Sequence, residues 1–417
     1  MAGMREISRR MAFAYIAGSA AGLLAACSSP ERPEAGRSSP TPTPTATDAT
    51  AGVPTSLGGA QEIGAAAAFG PTGAHWPTRT PRGTDAFDVV AEAECSWPDI
   101  RRAIAFVDEK ARGGTGVVLV RPGTLPGSGA GSSSRPVLEV VGSAGRAHRI
   151  LVAPRDGVGT VAFGESIRID RVLGVAFVGF WTYPYSVALT GVQDFAWAWS
   201  KGQAFNVTSG RTGEANDVEL VECVTPDALV TDSDAWAFRA AGNAYSGIQV
   251  VGCYIAPSYK PAGSQAHCDT LQLSGDRPQA RITLTDTALF ASTNAGFIPS
   301  GLASEVLFDH SLLVGGDRML QRYALPAGAN AFTSGYPAAV NGSGTTGVLS
   351  ARDSLFIGGV KGAWATVENS SVSDRAGTVA ASGGFRSDPS LASIDAAWLE
   401  RMAPTPTDDR LRAIWGA

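Results

Sequence analysis

Beyond about residue 85 the chain reads as short runs in which apolar and polar positions alternate, separated by Gly, Asn, Asp and Pro. Before those runs comes one segment with a different period. Ser96 offers a capping hydroxyl, Pro98 sits in the first turn and Asp99 stands three residues after the cap. Ile100, Ile104, Val107 and Ala111 then recur at helical spacing until Gly113 and Gly114, which predicts one amphipathic helix. Residues 117–120 (VVLV) follow as a buried strand that ends at Pro122 and Gly123.

Five later segments share one pattern: 218–223 (VELVEC), 248–253 (IQVVGC), 282–287 (ITLTDT), 306–311 (VLFDHS) and 349–354 (LSARDS). Each closes on a small residue, and the closing residues are 30, 34, 24 and 43 positions apart. A second strand is expected after the first four, at 234–238, 269–273, 294–298 and 317–321. Two short strands per repeat cannot bury a face alone and must stack on their neighbours, which predicts an all-β, parallel solenoid. A β-sandwich would need tight antiparallel hairpins, and those turn pairs are lacking.

The helix followed by GGTGVVLVRPGT at 113–124 resembles the entry to right-handed parallel β-helix proteins of the pectate-lyase-like superfamily, over roughly residues 85–390. The resemblance implies a right-handed parallel β-helix whose N-terminal helix covers the first coil and shields its open edge. It implies no single activity, since the superfamily includes lyases, hydrolases, epimerases and binding proteins. The β-helix domain is assigned to residues 61–390. Residues 391–417, with a helical stretch near 394–401, are assigned as a C-terminal cap over the last coil.

Stacking at about 4.8 Å turns sequence spacing into proximity. Cys223, Cys253, Thr287, Ser311 and Ser354 become one column, read as an inward ladder. Stacked parallel side chains seldom have disulfide geometry, and the pairing of Cys95, Cys223, Cys253 and Cys268 stays open. A second column holds Asp234, Asp269, Asn294 and Asp317. Asn294 and Asp317 fit turn caps, whereas stacked Asp234 and Asp269 repel unless a cation or proton joins them. That pair is a candidate Ca²⁺ site or an acid/base dyad. Lys201 and Lys361, two of only four lysines, are expected near this column.

His267, Asp269 and Gln272 form a His-x-Asp-x-x-Gln pattern that resembles one seen in several exported β-helix proteins. His267 reads either as a turn-stabilising partner of Asp269 or as a proton donor or acceptor, with Gln272 binding a sugar hydroxyl or carboxylate. Phe195, Trp197 and Trp199 alternate with Ala196 and Ala198, so their rings share one face, in the core or outside it. Trp181 and Tyr183, beside Pro184, are the better sugar-stacking candidates, and Tyr259 and Lys260 are placed on a groove wall. His310 reads as an ordinary strand residue.

The first 60 residues carry a different message. Arg5, Arg9 and Arg10 precede an uncharged apolar run at 11–26, too short for a mature spanning helix, which predicts an export signal over residues 1–26. Residues 24–27 (LAAC) resemble a bacterial lipobox, which implies lipidation of Cys27, and Arg9-Arg10 resembles a twin-arginine signal. Residues 27–60, rich in Ser, Thr and Pro, lack the apolar area to fold and predict a tether. The protein is therefore expected outside the cell, lipid-anchored or secreted, with no other membrane contact, and as a monomer.

Composition narrows the function. With 33 Lys+Arg against 38 Asp+Glu, a net charge of −5 and no basic block, a nucleic-acid partner is not expected. Two classes stay open: an enzyme acting on an extracellular polysaccharide, lyase or glycoside hydrolase, or a non-catalytic glycan-binding lipoprotein. A lyase would use Lys201 or His267 as base with a cation on Asp234 and Asp269, or a basic wall from Arg277, Arg281, Arg318 and Arg322. A hydrolase would use Asp234 and Asp269 directly.

Overall fold

The computed structural model describes residues 68–416 except 84, 130–133, 212, 331, 333 and 334. The expected export signal, Cys27, the tether and the first residues of the 61–390 domain lie outside the described residues.

The chain winds into a parallel β-helix with three ladders of strands, and every pairing between the strands of these ladders is parallel. One ladder begins at Val89–Ala93 and Gly116–Val120, passes through Ile150–Pro154 and Val175–Val178, and climbs via Tyr245–Val251 and Gln279–Thr285 to Val306–Asp309. A second runs from Ile167–Leu173 through Ser186–Thr190, Ala204–Ser209, Trp236–Ala240 and Asp269–Gly275 to Ala295–Ile298. The third, at the corner between them, stacks Tyr254–Ile255, Ala288–Phe290, Leu312–Val314 and Leu355–Ile357.

Helix α1 (Trp97–Ala111) forms where the capping pattern places it: the Ser96 side chain accepts from the Asp99 amide, and Trp97, Ile100, Ile104 and Val107 are buried on the first coil. It ends on Arg112 in the left-handed conformation, one residue before Gly113.

The column of small residues is an inward ladder, longer than the sequence shows. Ser200 and Ser370 extend it at either end, and all seven members are fully buried. At four of the six steps the amide of one rung bonds the side chain of the next: Cys223 N to Cys253 Sγ at 3.2 Å, Cys253 N to Thr287 Oγ1 at 3.3 Å, Ser311 N to Ser354 Oγ at 3.0 Å, Ser354 N to Ser370 Oγ at 3.1 Å. All of these side chains but that of Ser370 also donate to a carbonyl of the coil below, as Thr287 does to Val250 O. The ladder thus satisfies the backbone at the corner, where strand pairing lapses. The four cysteines are free thiols.

The residue before each rung, from Trp199 and Glu222 through Gly252, Asp286 and His310 to Asp353 and Asn369, has positive φ. This bend breaks the inside-outside alternation. Phe195 and Trp197 therefore point into the lumen, while Trp199 turns out to pack edge-on against Trp76 and parallel to Trp415.

Two expectations are corrected. Residues 317–321 form no strand: Arg318–Gln321 is a 3₁₀ turn, and the rung above Ala295–Ile298 is the start of Ala338–Arg352. Asp317 is therefore exposed outside the column. The C-terminal segment does not cap the last coil. Helices α2 (Ala396–Met402) and α3 (Asp408–Trp415) run back along the outside of the first and corner ladders, burying Leu399, Leu411, Ile414 and Trp415 in the apolar layer there. The N-terminal strap at 69–80 lies on the same shielded face, joined to α2 by Phe69 N to Met402 O.

Candidate functional site

With the first ladder covered, the second presents its outer face to solvent. Register places Arg168, Ala188, Asn206, Ala237 and Gln272 in one outward row, and Asp170, Thr190, Thr208, Arg239 and Ser274 in the next. The small residues Ala188, Ala204, Ala235 and Ala237 leave a trough between the polar ones. It is a groove of about 730 Å³ lined also by Arg211, Gln203, Ser233 and Asp234.

Asp234 and Asp269 meet at one end, as the stacking requires. Trp236 pairs with Leu271, so the two aspartates are adjacent rungs, and the Asp269 amide donates to Asp234 Oδ1 at 3.0 Å. Asn294 Nδ2 donates to Asp269 Oδ1 at 2.8 Å, and Gln272 Nε2 lies 3.5 Å from its Oδ2. Asp269 is fully buried, Asp234 borders the groove, and Arg239 stands 3.9 Å from Asp234. Burial pushes the Asp269 carboxyl up to about 7, with the Asp234 charge adding to it and the Asn294 bond opposing it. Asp234 is also raised, by burial first, against the Asp269 amide and the charges of Arg239 and His267. His267 lies exposed on the preceding loop, close enough for its charge to bear on Asp234.

The carboxylate pair is partly taken up by hydrogen bonds. One oxygen of each carboxylate already accepts an N–H, and among the described residues no three His, Cys, Asp or Glu groups are arranged around a common metal point.

The other expected site residues fall elsewhere. Lys201 pairs with Asp408 of α3 at 2.7 Å and lies 4.5 Å over the Tyr183 ring, away from the aspartates. Tyr183 donates to Asp227, and burial and that carboxylate push its hydroxyl up to about 12. Trp181 is held between Arg412 and Trp415 under α3, so it offers no free ring. Tyr259 is buried, donating to Tyr323 O. Lys260 bonds Thr293 through its backbone beside Tyr259. The expected basic wall disperses too: Arg281 turns to Asp217, Arg322 to Tyr254 and Glu400, Arg277 to Gly242 O. The arginines that do border the groove are Arg168, Arg211 and Arg239.

One charged cluster escaped the sequence reading. His75 of the strap donates from Nδ1 to Glu222 (3.0 Å) and from Nε2 to Asp286 (2.9 Å), and Asp286 also holds His310 at 2.5 Å. His310 is thus no plain strand residue; it stacks on Phe69 of the strap. Glu222, fully buried, also accepts from Gly73 N and Trp415 Nε1. Gly252 makes room for this: a Cβ there would lie 2.4 Å from His75 Nδ1. The cluster ties both chain ends to the shielded face, and it borders no groove described here. Only the Gly in the second repeat (VVGC) where others carry Asp, Glu or His hinted at it.

No family model matches this chain, and no curated protein does. Among solved structures it is similar to the A-module of the mannuronan C-5 epimerase AlgE6 of Azotobacter vinelandii, at 13% identity and a TM-score of 0.24, over 69% of this chain and 96% of that one. That likeness is too loose to transfer a residue or an activity; the fold stands on the strand pairing of this chain.

Proposed function

We propose that the open-face groove binds an extended glycan and that the protein cleaves it by acid/base chemistry centred on Asp234. The observation that carries this reading is the carboxylate pair at the groove end: two aspartates on adjacent rungs, of which the buried one holds its proton near neutral pH. With Asp269 neutral, Asp234 is the charged member, and it faces the substrate. His267, exposed on the loop before Asp269 and near enough for its charge to bear on Asp234, would be the second proton-exchanging group. Arg239 and Asn206 would hold hydroxyl or acidic groups of the sugar. Hydrolysis is favoured over elimination, because Lys201 is committed to Asp408 and one oxygen of each aspartate already accepts an N–H group.

A second reading has its own support. The Asp234 side chain is only 6% exposed, as expected if the groove recognises glycan without cutting it. The test is to incubate the chain from residue 59 onward with neutral and uronate glycans. New reducing ends that vanish in Asp234→Asn support hydrolysis; unsaturated products would point to a lyase; binding without products supports recognition alone. No release and no binding would overturn both.

We further propose that the protein works outside the cytoplasm as a monomer, held by lipid on Cys27 and the tether at 27–60, with no nucleic-acid partner. The leader pattern and the acidic net charge support this. Among the described residues no helix is long and apolar enough to cross a membrane. Metabolic labelling with a fatty acid, lost in Cys27→Ser, tests the anchor.

A further inference from the structure

Lys361 is one of four lysines, and nothing in the groove uses it. It borders a separate cleft of about 480 Å³ on the upper coils, where the corner ladder meets Ala338. That size suits one small ligand. Register carries Leu312–Val314 over Leu355–Ile357, so the residues that follow, Gly315-Gly316 and Gly358-Gly359, stack as two glycine pairs. These form the cleft floor.

The glycines are small for two different reasons. At Gly315 a Cβ would meet Ala339 N at 2.6 Å, so packing demands the glycine. At Gly359 the nearest atoms to a Cβ are 3.9 and 4.0 Å away, so the backbone has room for a side chain, and one there would project toward Asp374, another cleft-lining residue. The floor amides of Gly315, Gly316 and Gly358 are spent on Ile357 O, Pro337 O and Ser373 Oγ. Any ligand must therefore be held by side chains.

Those side chains have a distinct character. Lys361 and Arg375 are exposed, and among the described residues neither side chain has an ion-pair or hydrogen-bond partner. Arg318 adds a third cation, paired with Asp317 at 3.3 Å, and Asp374 is the second acid. Three cations face two acids on a protein of net charge −5, so the cleft is a local positive point. Tyr336, 56% exposed, leans on the Phe332 ring at 5.8 Å between centroids and still presents much of its own ring at the rim. A ring to stack on beside unpaired cations matches a pyranose that carries an acidic group.

We propose that this cleft is a second binding site, for a single acidic sugar unit, separate from the open-face groove. It does not depend on the groove being catalytic. The test is binding of a short oligogalacturonate to the chain from residue 59 onward, by calorimetry and NMR titration, with a neutral oligosaccharide of equal length and inorganic sulfate alongside. NMR shifts of cleft residues report this site apart from the groove: Lys361→Ala and Tyr336→Ala, both at the surface, should each weaken the response there about tenfold, Gly359→Leu should abolish it, and none of the three should change the response of the groove residues. Equal binding of the neutral sugar, equal binding of sulfate alone, or insensitivity to Lys361→Ala and Tyr336→Ala would overturn the proposal. If Gly359→Leu fails to fold, the two surface variants still decide.

Discussion

Asp269 is a carboxylate held in an environment that disfavours its charge. A carboxyl raised to about 7 binds its proton in the folded protein while the unfolded chain, with an ordinary value, has released it. Between those values stability therefore falls as pH rises, and above about 7 the full cost persists. Asp269→Asn, which keeps an acceptor for Asn294, should raise the melting temperature at pH 8 by the equivalent of a few kcal/mol and change little at pH 4. Thermal melts at the two values check this; an equal shift at both would show that the proton is not involved. The same proton shapes turnover: activity should decline as pH rises through about 7, and Asp269→Asn should remove that limb while Asp234→Asn removes activity altogether. Added chelator should leave turnover unchanged, because one oxygen of each aspartate already accepts an N–H group.

At the scale of elements, the strap and α3 behave as one unit held by His75. Burial alone would lower the His75 imidazole, yet its bonds to Asp286 and Glu222 override that and raise it to about 10. A raised histidine contributes stability that is complete below its ordinary value near 6.5 and lost as pH climbs through about 10. His75→Gln should therefore destabilise by about 3 kcal/mol at pH 6, much of it from leaving Glu222 buried without its cation, and the gap to wild type should close by pH 11. Limited proteolysis should then cut first within 69–80. The small-residue ladder makes a parallel case: Thr287→Val keeps the shape but strands the Cys253 amide, at a cost of about 1 to 3 kcal/mol. Strand repeats were legible because a shared small closing residue recurs in each. The bends before them were not, since an Asp, Glu or His in left-handed geometry looks like any polar strand residue; hence Trp199 and His310 were misplaced.

For the whole molecule, what the sequence could show was whatever depends on neighbours in register. Coil stacking brought Asp234 onto Asp269 because that distance follows from the repeat itself. It could not show which face of the solenoid stays open, because that is decided by the two chain ends, about 330 residues apart in sequence, folding onto one side. Lys201, Trp181 and Tyr183 were assigned to a sugar site for that reason; they belong to the side that α3 covers. The free thiols give a molecule-wide check: Cys223 and Cys253 are stacked and fully buried, and burial raises the Cys223 thiol far above its usual range. Reducing agent should leave the unfolding midpoint unchanged.

The strap fixes more than stability. A chain that enters at Phe69 enters on the shielded side, beside Met402. The strap and α2 therefore leave and return together: whatever peels one from the coils uncovers the other, so the two flanks of the shielded face share one fate.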